Sequence, residues 1–261
     1  SQAVVRSVFG KTKDGIIIEF YRQCLRNHVQ WGFKLPYQLE AEVSLNKSFE
    51  NTFLKNGAMF QTVSLIPNNA RTKYIERMNG ELRYRFEKEL SGWKGRPFAL
   101  DESNQPMPQD NIYRTAKYTP YDLLLQQSRR IIEDWNNSEH PRFPGLTRWD
   151  YFVSRQHKDL VDINWRGVLP HLGHSTKSSC NLGAVQLQGF ARWIALDDKI
   201  LTGDDLIRVL LQVEGQDVTV YWLDGNNRDV MKAMVYMGDH YICNLLPIPK
   251  YHRSVLEQTP Q

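Results

Sequence analysis

The residues most able to do chemistry in this sequence surround Glu76, an acid near the start of a helical pattern dominated by bases. Glu76 and Arg83 are seven residues apart, so they share one face of a helix. The opposite face is apolar at helical spacing and is formed by Ile75, Met78, Leu82, Phe86 and Leu90. A lone carboxylate among arginines and lysines indicates a metal ligand beside a bound polyanion.

Bases are concentrated around this helix. Between Arg71 and Arg96 there are eight lysines and arginines against four acids, an excess equal to the net charge of +4 on the 261-residue chain. Clustered bases favour phosphate binding because neutralised phosphates release condensed counterions. The alternative is a solvated helix stabilised by ion pairs four residues apart.

Gly80 lies inside the same helical pattern. A glycine in a helix interior costs roughly 1 kcal/mol relative to alanine, and it is tolerated where another molecule must approach the backbone closely. A nucleic-acid strand over the basic face is one such molecule. Packing of Gly80 against a second helix is the alternative.

Three segments resemble the DDE transposases and retroviral-type integrases. Residues 75–83, IERMNGELR, resemble the last catalytic segment of that family, and residues 66–71 resemble the strand end and loop before it. Trp135, Asn137, His140 and the run from Gly145 to Thr147 are similar to the family's W-x-N, H and G-x-T tail. Residues 96–99 and the strand-rich C-terminal part make phage Mu-like transposases the most similar group.

The resemblance implies a fragment of a ribonuclease-H-like α/β core followed by a small antiparallel β-barrel. It implies DNA strand cleavage and transfer with Mg²⁺ or Mn²⁺ held by carboxylates, because a metal pair activates the attacking hydroxyl and stabilises the leaving oxygen. Glu76 matches the third metal-binding carboxylate. The residues expected near DNA are Asn69, Arg71, Lys73, Arg77, Asn79 and Arg83.

The second carboxylate departs from the family pattern. The family spacing selects Glu42, where an aspartate is usual, although spacing back from Glu76 also allows Glu40. Both glutamates lie on one face of a predicted strand, since strand side chains alternate with period two. We therefore expect Glu42 and Glu76 to be catalytic metal ligands, with Glu40 as the open alternative to Glu42.

The first carboxylate of the family lies upstream of the segment that matches residues 3–10. We therefore expect this chain to be a fragment cut within its catalytic domain, and to be inactive in strand transfer by itself. The early acid Asp14 precedes a helical pattern to about Gln30, so it is expected to be a turn residue or a helix N-cap.

The chain divides by pattern into a partial catalytic core with C-terminal helices (1–158), a linker (159–182), a small barrel (183–250) and a tail (251–261). Strands over 4–9, 39–43 and 59–66 alternate with helices, which predicts an α/β core. Pro120 is expected at the first position of a helix to about Trp135, and Thr147 as the cap of the next. The barrel strands are predicted over 185–187, 191–195, 207–213, 218–223, 230–237 and 241–245.

Composition limits the classes of protein to which this chain can belong. Apolar residues make up 41% and charged residues 24% of the chain, as in globular proteins, and no apolar run is long enough to cross a membrane. Three widely spaced cysteines predict reduced thiols and hence an intracellular, cytoplasmic protein. The resemblance implies a nucleoid-associated location, and it implies double-stranded DNA, as transposon ends and target, and further copies of the chain in a multimer as partners.

Two other function classes fit the same residues. One is a non-catalytic DNA-binding protein of the same fold with a decayed site, and the other is an assembly module with an incidental basic helix. In the barrel, Arg192 and Trp193 could contribute to a nucleic-acid surface, although Trp193 is better explained as a core residue.

Overall fold

The computed structural model describes residues 13–65, 78–87 and 119–249. They form two compact units, and each unit is discontinuous in sequence. The first unit takes residues 13–17, 27–48, 62–65, 78–87 and 119–162, and the second takes residues 18–26, 49–61 and 163–249. The strand predicted over 4–9 and the tail over 251–261 lie outside the described ranges.

The first helix, α1, runs from Lys13 to Trp31 and contributes residues to both units. Asp14 lies in its first turn. Gly32 ends the helix with φ of +71°, a left-handed conformation that glycine adopts without steric cost. The amide of Gly32 bonds to Val29 O at 3.1 Å and that of Phe33 to His28 O at 2.9 Å. These bonds satisfy two of the last four carbonyls of α1, those of His28 and Val29.

Two short strands in the first unit are parallel. β1 (Gln38–Ala41) pairs with β2 (Thr62–Leu65), with Leu39 opposite Val63 and Ala41 opposite Leu65. The connection between them contains helix α2 (Val43–Asn46) and a 3₁₀ turn (Lys47–Phe49). A crossover connection is what a parallel pair requires, because its strands enter the sheet from the same end.

The rest of the first unit is a helical segment and a helix–hairpin–helix. Residues 78–82 are α-helical and continue into a π-helical turn, Arg83–Glu87. The remaining elements are α3 (Tyr121–Asn137), the antiparallel strands β3 (Glu139–His140) and β4 (Phe143–Thr147), and α4 (Arg148–Ser154).

The structure tests two predictions of where a helix begins, and one of them is confirmed. Thr147 caps α4 as predicted: its Oγ1 accepts from Asp150 N at 2.9 Å, and its own amide donates to Asp150 Oδ2 at 3.3 Å. Pro120 was expected at the first helical position of α3, but it occupies the N-cap position and makes no side-chain cap bond. That detail of the prediction is wrong.

The second unit contains a closed, six-stranded antiparallel β-barrel, which confirms the barrel prediction. The strands are β5 (His174–Asn181), β6 (Ala184–Leu187), β7 (Phe190–Leu196), β9 (Asp217–Asp224), β10 (Val230–Met237) and β11 (His240–Pro247), and the short β8 (Lys199–Ile200) pairs antiparallel with the end of β7. The strand order in the barrel is β11-β10-β9-β5-β6-β7, and pairing of β7 with β11 closes the ring. Two helices accompany them, α5 (Trp165–Leu172) and α6 (Gly203–Val213).

Two predictions in this unit are wrong. The segment 159–182, expected to be a linker, contains α5 and the barrel strand β5. The segment 207–213, expected to be a strand, lies within α6. There, Val209 and Val213, four residues apart, are buried in the barrel core, while Ile207 and Leu211 are exposed. This is the burial pattern of an amphipathic helix.

Buried charge attaches the middle of α1 to the barrel within the second unit. The side chain of Arg26 is fully buried; its Nη1 donates to Glu19 Oε1 at 2.6 Å, its Nε to Asp224 O at 2.8 Å, and its Nη2 to the Asp224 carboxylate. Arg22 donates to Leu172 O at 2.6 Å and to Gly173 O at 3.0 Å, which satisfies the end of α5.

Glu214 fixes the turn between β5 and β6. Its carboxylate accepts the backbone N–H of Leu182 at 2.6 Å and that of Gly183 at 3.2 Å, and these bonds lower the pKa of Glu214. Leu182 has φ of +52°, so the carboxylate holds a non-glycine residue in the left-handed region.

No helix in the three described ranges is both long enough and apolar enough to cross a lipid bilayer.

Candidate functional site

Glu42 lies at the carboxyl end of β1 and is exposed to solvent. It is the N-cap residue of α2, with extended backbone at φ −71° and ψ 133°. Its Oε1 accepts the hydroxyl of Ser44 at 2.5 Å, and its carbonyl oxygen accepts the side-chain amide of Asn46 at 2.9 Å. Glu40, which lies within β1, is also exposed, and its carboxylate accepts a hydrogen bond from the side-chain amide of Gln38 at 3.0 Å. Both glutamates therefore have an accessible carboxylate.

The parallel pairing of β1 and β2 sets the direction of the chain at this edge. Carboxyl ends of parallel neighbours lie at the same edge of a sheet, so the chain leaves β2 after Leu65 on the side where Glu42 follows β1. Residues 66–77 come next, and they lie outside the described ranges. They include Asn69, Arg71, Lys73, Glu76 and Arg77.

The donor chemistry of Glu42 fits a hard divalent cation, because Mg²⁺ prefers carboxylate and water oxygens. Within residues 13–65, 78–87 and 119–249, no group of three or more histidine, cysteine, aspartate and glutamate side chains could hold a metal ion. A metal site at Glu42 would therefore need further donors from outside these ranges, where Glu76 is the donor expected from the sequence.

The helical segment 78–87 presents the two DNA-contact candidates that can be located. Asn79 and Arg83 are exposed, while Met78, Leu82 and Phe86 are half-buried. These three residues of the predicted apolar stripe are thus partly rather than fully buried, and Ile75 and Leu90 lie outside the described ranges. The polar face that was expected near DNA is open to solvent.

Gly80 lies on this segment without a close neighbour among the described residues. A Cβ added to Gly80 would meet none of their atoms within 4 Å, apart from its own helix and chain neighbours. None of the helices in the described ranges therefore packs closely against Gly80. The open space above its backbone is compatible with a ligand that approaches there.

Arg148, the first residue of α4, attaches the segment 78–87 to the hairpin and α3. Its Nη2 donates to Glu81 Oε1 at 2.9 Å and its Nε donates to Ser138 Oγ at 3.0 Å. Its guanidinium lies 4.0 Å from the ring centre of Trp135, and the Trp135 ring meets that of Phe86 at 5.7 Å in an edge-on arrangement. Such contacts each contribute roughly 0.5–2 kcal/mol.

These contacts give the segments around Trp135 and Thr147 a structural role. Trp135 contacts Phe86, and Arg148, which follows Thr147, bonds to Glu81, so both hold the helical segment 78–87 in place. Asn79 and Arg83 remain exposed. Glu81 and Arg148 are not among the site residues predicted from the sequence. The spacing of Glu81 and Arg85, four residues apart, indicates an ion pair, but such a pair is equally typical of a solvated helix.

Arg192 of the barrel does not belong to an exposed nucleic-acid surface. Only 9% of Arg192 is accessible, and it shares the face of β7 with Ile194, a residue of the barrel core. Burial lowers the pKa of the Arg192 guanidinium, and the charge of Asp229 opposes that shift. Trp193 is half-buried.

The sequence was also compared with known proteins. It matches no family model and no curated protein.

Proposed function

We propose that this chain is part of a DDE-type transposase, an enzyme that cleaves and joins DNA strands with divalent metal ions, and that its first unit is a fragment of a ribonuclease-H-like core. The observation that carries the proposal is the parallel pair β1–β2. It sends the chain toward Glu76 from the same sheet edge at which Glu42 follows β1.

In this proposal Glu42 and Glu76 hold Mg²⁺ or Mn²⁺, with Glu40 as the alternative to Glu42. When bound, the metal supplies activation of a water or 3′-hydroxyl and stabilisation of the leaving oxygen. The exposed, hydrogen-bonded carboxylate of Glu42 supports its assignment, because an accessible hard oxygen donor is what such an ion needs.

The DNA-contact residues are those named from the sequence: Asn69, Arg71, Lys73, Arg77, Asn79 and Arg83. Exposure of Asn79 and Arg83, and the open backbone at Gly80, support a strand passing along this face of the helix. The substrates would be duplex DNA as transposon ends and target, and several copies would act together on them. A cytoplasmic, nucleoid-associated location is part of the same proposal.

Metal binding tests the catalytic assignment. The full chain should bind Mn²⁺, detected by electron paramagnetic resonance, and Glu76→Gln should abolish that binding. Glu42→Gln should weaken it more than Glu40→Gln does. Mn²⁺ binding that Glu76→Gln leaves unchanged would remove Glu76 from the site and refute the proposal.

Salt-dependent DNA binding tests the second part. Arg83→Ala should weaken binding equally on unrelated duplexes and reduce the slope of log K against log salt by about 1, since it removes one phosphate contact. DNA binding without Glu76-dependent Mn²⁺ binding would identify a non-catalytic DNA-binding protein. Absence of both would leave an assembly module.

A further inference from the structure

Two clefts of the first unit meet at Tyr151. The first has a volume of about 360 Å³ and lies beside the segment 78–87, where Met78 and Glu81 line it together with His140, Arg142 and Arg148. The second has a volume of about 320 Å³, and its polar lining comes from His28, Lys34, Arg155, Gln156 and His157. Tyr151 lines both, so the two clefts adjoin along α4.

Bases predominate among the charged residues that line the two clefts, although the surface of the second cleft is mostly apolar. The lining contains four lysine and arginine side chains and three histidines, and Glu81 is the one acid among the lining residues. Glu81 is already paired, with Arg85 at 2.9 Å and with Arg148 at 2.9 Å. At the rim, Asp159 lies 3.6 Å from His157 and Asp162 lies 3.3 Å from Lys34. The excess charge therefore remains positive.

Two arginines beside Tyr151 are available to a ligand. Arg142 and Arg155 are both exposed, and neither has a carboxylate within 4 Å among the residues that the structure describes. Arg155 lies with its guanidinium 5.6 Å from the Tyr151 ring centre. The backbone N–H of Arg142 donates to His140 Nδ1 at 3.2 Å, which leaves His140 Nε2 as the nitrogen able to meet a ligand.

The aromatic surface between these arginines is held in place. The Tyr151 ring stacks on Phe143 at 4.5 Å and 16°, and His140 lies 4.4 Å from the same ring. The stacked rings fix the position of Tyr151, and tyrosine and arginine side chains are among the groups that donate hydrogen bonds to DNA phosphates.

We propose that the two clefts form a second surface for the phosphate backbone of duplex DNA, centred on Arg142, Tyr151 and Arg155. This inference rests on the proposed function, in which the chain binds DNA. The surface is separate from the face of Asn79 and Arg83, because Met78 and Glu81 of the same helix line the cleft while Asn79 and Arg83 do not. Strand transfer joins two duplexes, so a second DNA surface is what the chemistry calls for.

The test is equilibrium binding of the full chain to labelled duplex DNA at several salt concentrations. The double variant Arg142→Ala/Arg155→Ala should reduce the slope of log K against log salt by about 2 and weaken binding on every duplex sequence. The matched control is Arg130→Ala/Arg208→Ala, which removes the same charge from two exposed arginines that pair with Asp134 and Asp205. The control should reduce the slope by clearly less.

Equal losses in the two double variants would overturn the inference, since net charge alone would then explain binding. Thermal melting verifies that each variant is folded; should the first double variant melt earlier, Arg142→Gln and Arg155→Gln singly should each reduce the slope by about 1. A loss with Arg83→Ala but not with Arg142→Ala/Arg155→Ala refutes this inference alone. The reverse result supports it and removes the helix face from the proposed function, and a wild-type chain that binds no duplex refutes both.

Discussion

Replacement of Arg148 by alanine should loosen the helical segment 78–87. The Arg148 side chain is 12% exposed and makes an ion pair, a neutral hydrogen bond and a cation–π contact. The charged hydrogen bond to Glu81 contributes about 1.5 kcal/mol, at the low end of its class because Glu81 is 32% exposed. The bond to Ser138 and the contact with Trp135 add about 1 kcal/mol each. The expected cost is roughly 2–4 kcal/mol.

Hydrogen exchange measured by mass spectrometry reports this loss locally. At about 1.4 kcal/mol per tenfold change, a cost of 2 kcal/mol accelerates exchange of the amides in 78–87 roughly 30-fold. The matched control is Arg130→Ala. Arg130 is 83% exposed and pairs with Asp134 at 3.7 Å, so its loss should change the free energy of unfolding by less than about 0.5 kcal/mol.

A double-mutant cycle separates the ion pair from the other contacts. Glu81→Gln combined with Arg148→Ala should show a coupling free energy of about 1 kcal/mol, because the two side chains touch directly. The reasoning is refuted if Arg148→Ala leaves exchange in 78–87 at the rate of Arg130→Ala, or if the cycle gives no coupling. DNA binding should weaken together with the loosening of the segment, since Arg83 is part of it.

Three further predictions address stability and access. Gly80→Ala should stabilise the helical segment by about 0.5–1 kcal/mol in urea denaturation yet weaken DNA binding; unchanged DNA affinity would show that no strand approaches this backbone. Arg26→Ala removes the buried cation that lies nearest to Glu19 and Asp224 and should lower the free energy of unfolding by about 3–5 kcal/mol; a loss below 1 kcal/mol would contradict the buried network. The pKa of Glu214 is depressed in the folded state, so its contribution to the free energy of unfolding is complete above about pH 5 and is lost as the pH falls below about 4.3, the ordinary pKa of glutamate. Glu214→Gln should therefore make the melting temperature depend less steeply on pH at acidic pH. An unchanged dependence would contradict this role.

Local chemistry explains which elements were predictable. A helix ended by Gly32, a helix capped by Thr147 and the strand over 230–237 each have a strong signal within a few residues, and each is found. In α6, the run Ile207 to Val213 is rich in β-branched residues, which favoured a strand, but the four-residue spacing of the buried valines decides the outcome. Strand β5, HSTKSSCN, has almost no apolar alternation and was therefore invisible.

Some features of the candidate site could be predicted from the sequence and others could not. Exposure of Asn79 and Arg83 and partial burial of Met78 and Leu82 followed from helical periodicity alone. The attachment of Glu81 to Arg148 could not be derived, because the two residues are 67 positions apart and only the tertiary fold brings them together.

Because residues 18–26 of α1 belong to the second unit, cutting the chain before the barrel affects the stability of that unit. A piece beginning at residue 163 would carry every barrel strand but would lack residues 18–26 and 49–61, which supply Arg22, Arg26 and the aromatic residues Tyr21, Phe53 and Phe60. The carbonyls of Leu172 and Gly173 at the end of α5 would lose the bonds from Arg22, and Asp224 would lose those from Arg26. We therefore expect a piece that begins at residue 163 to be less stable than the intact second unit, so a shortened form of this protein should retain residues 18–26 and 49–61.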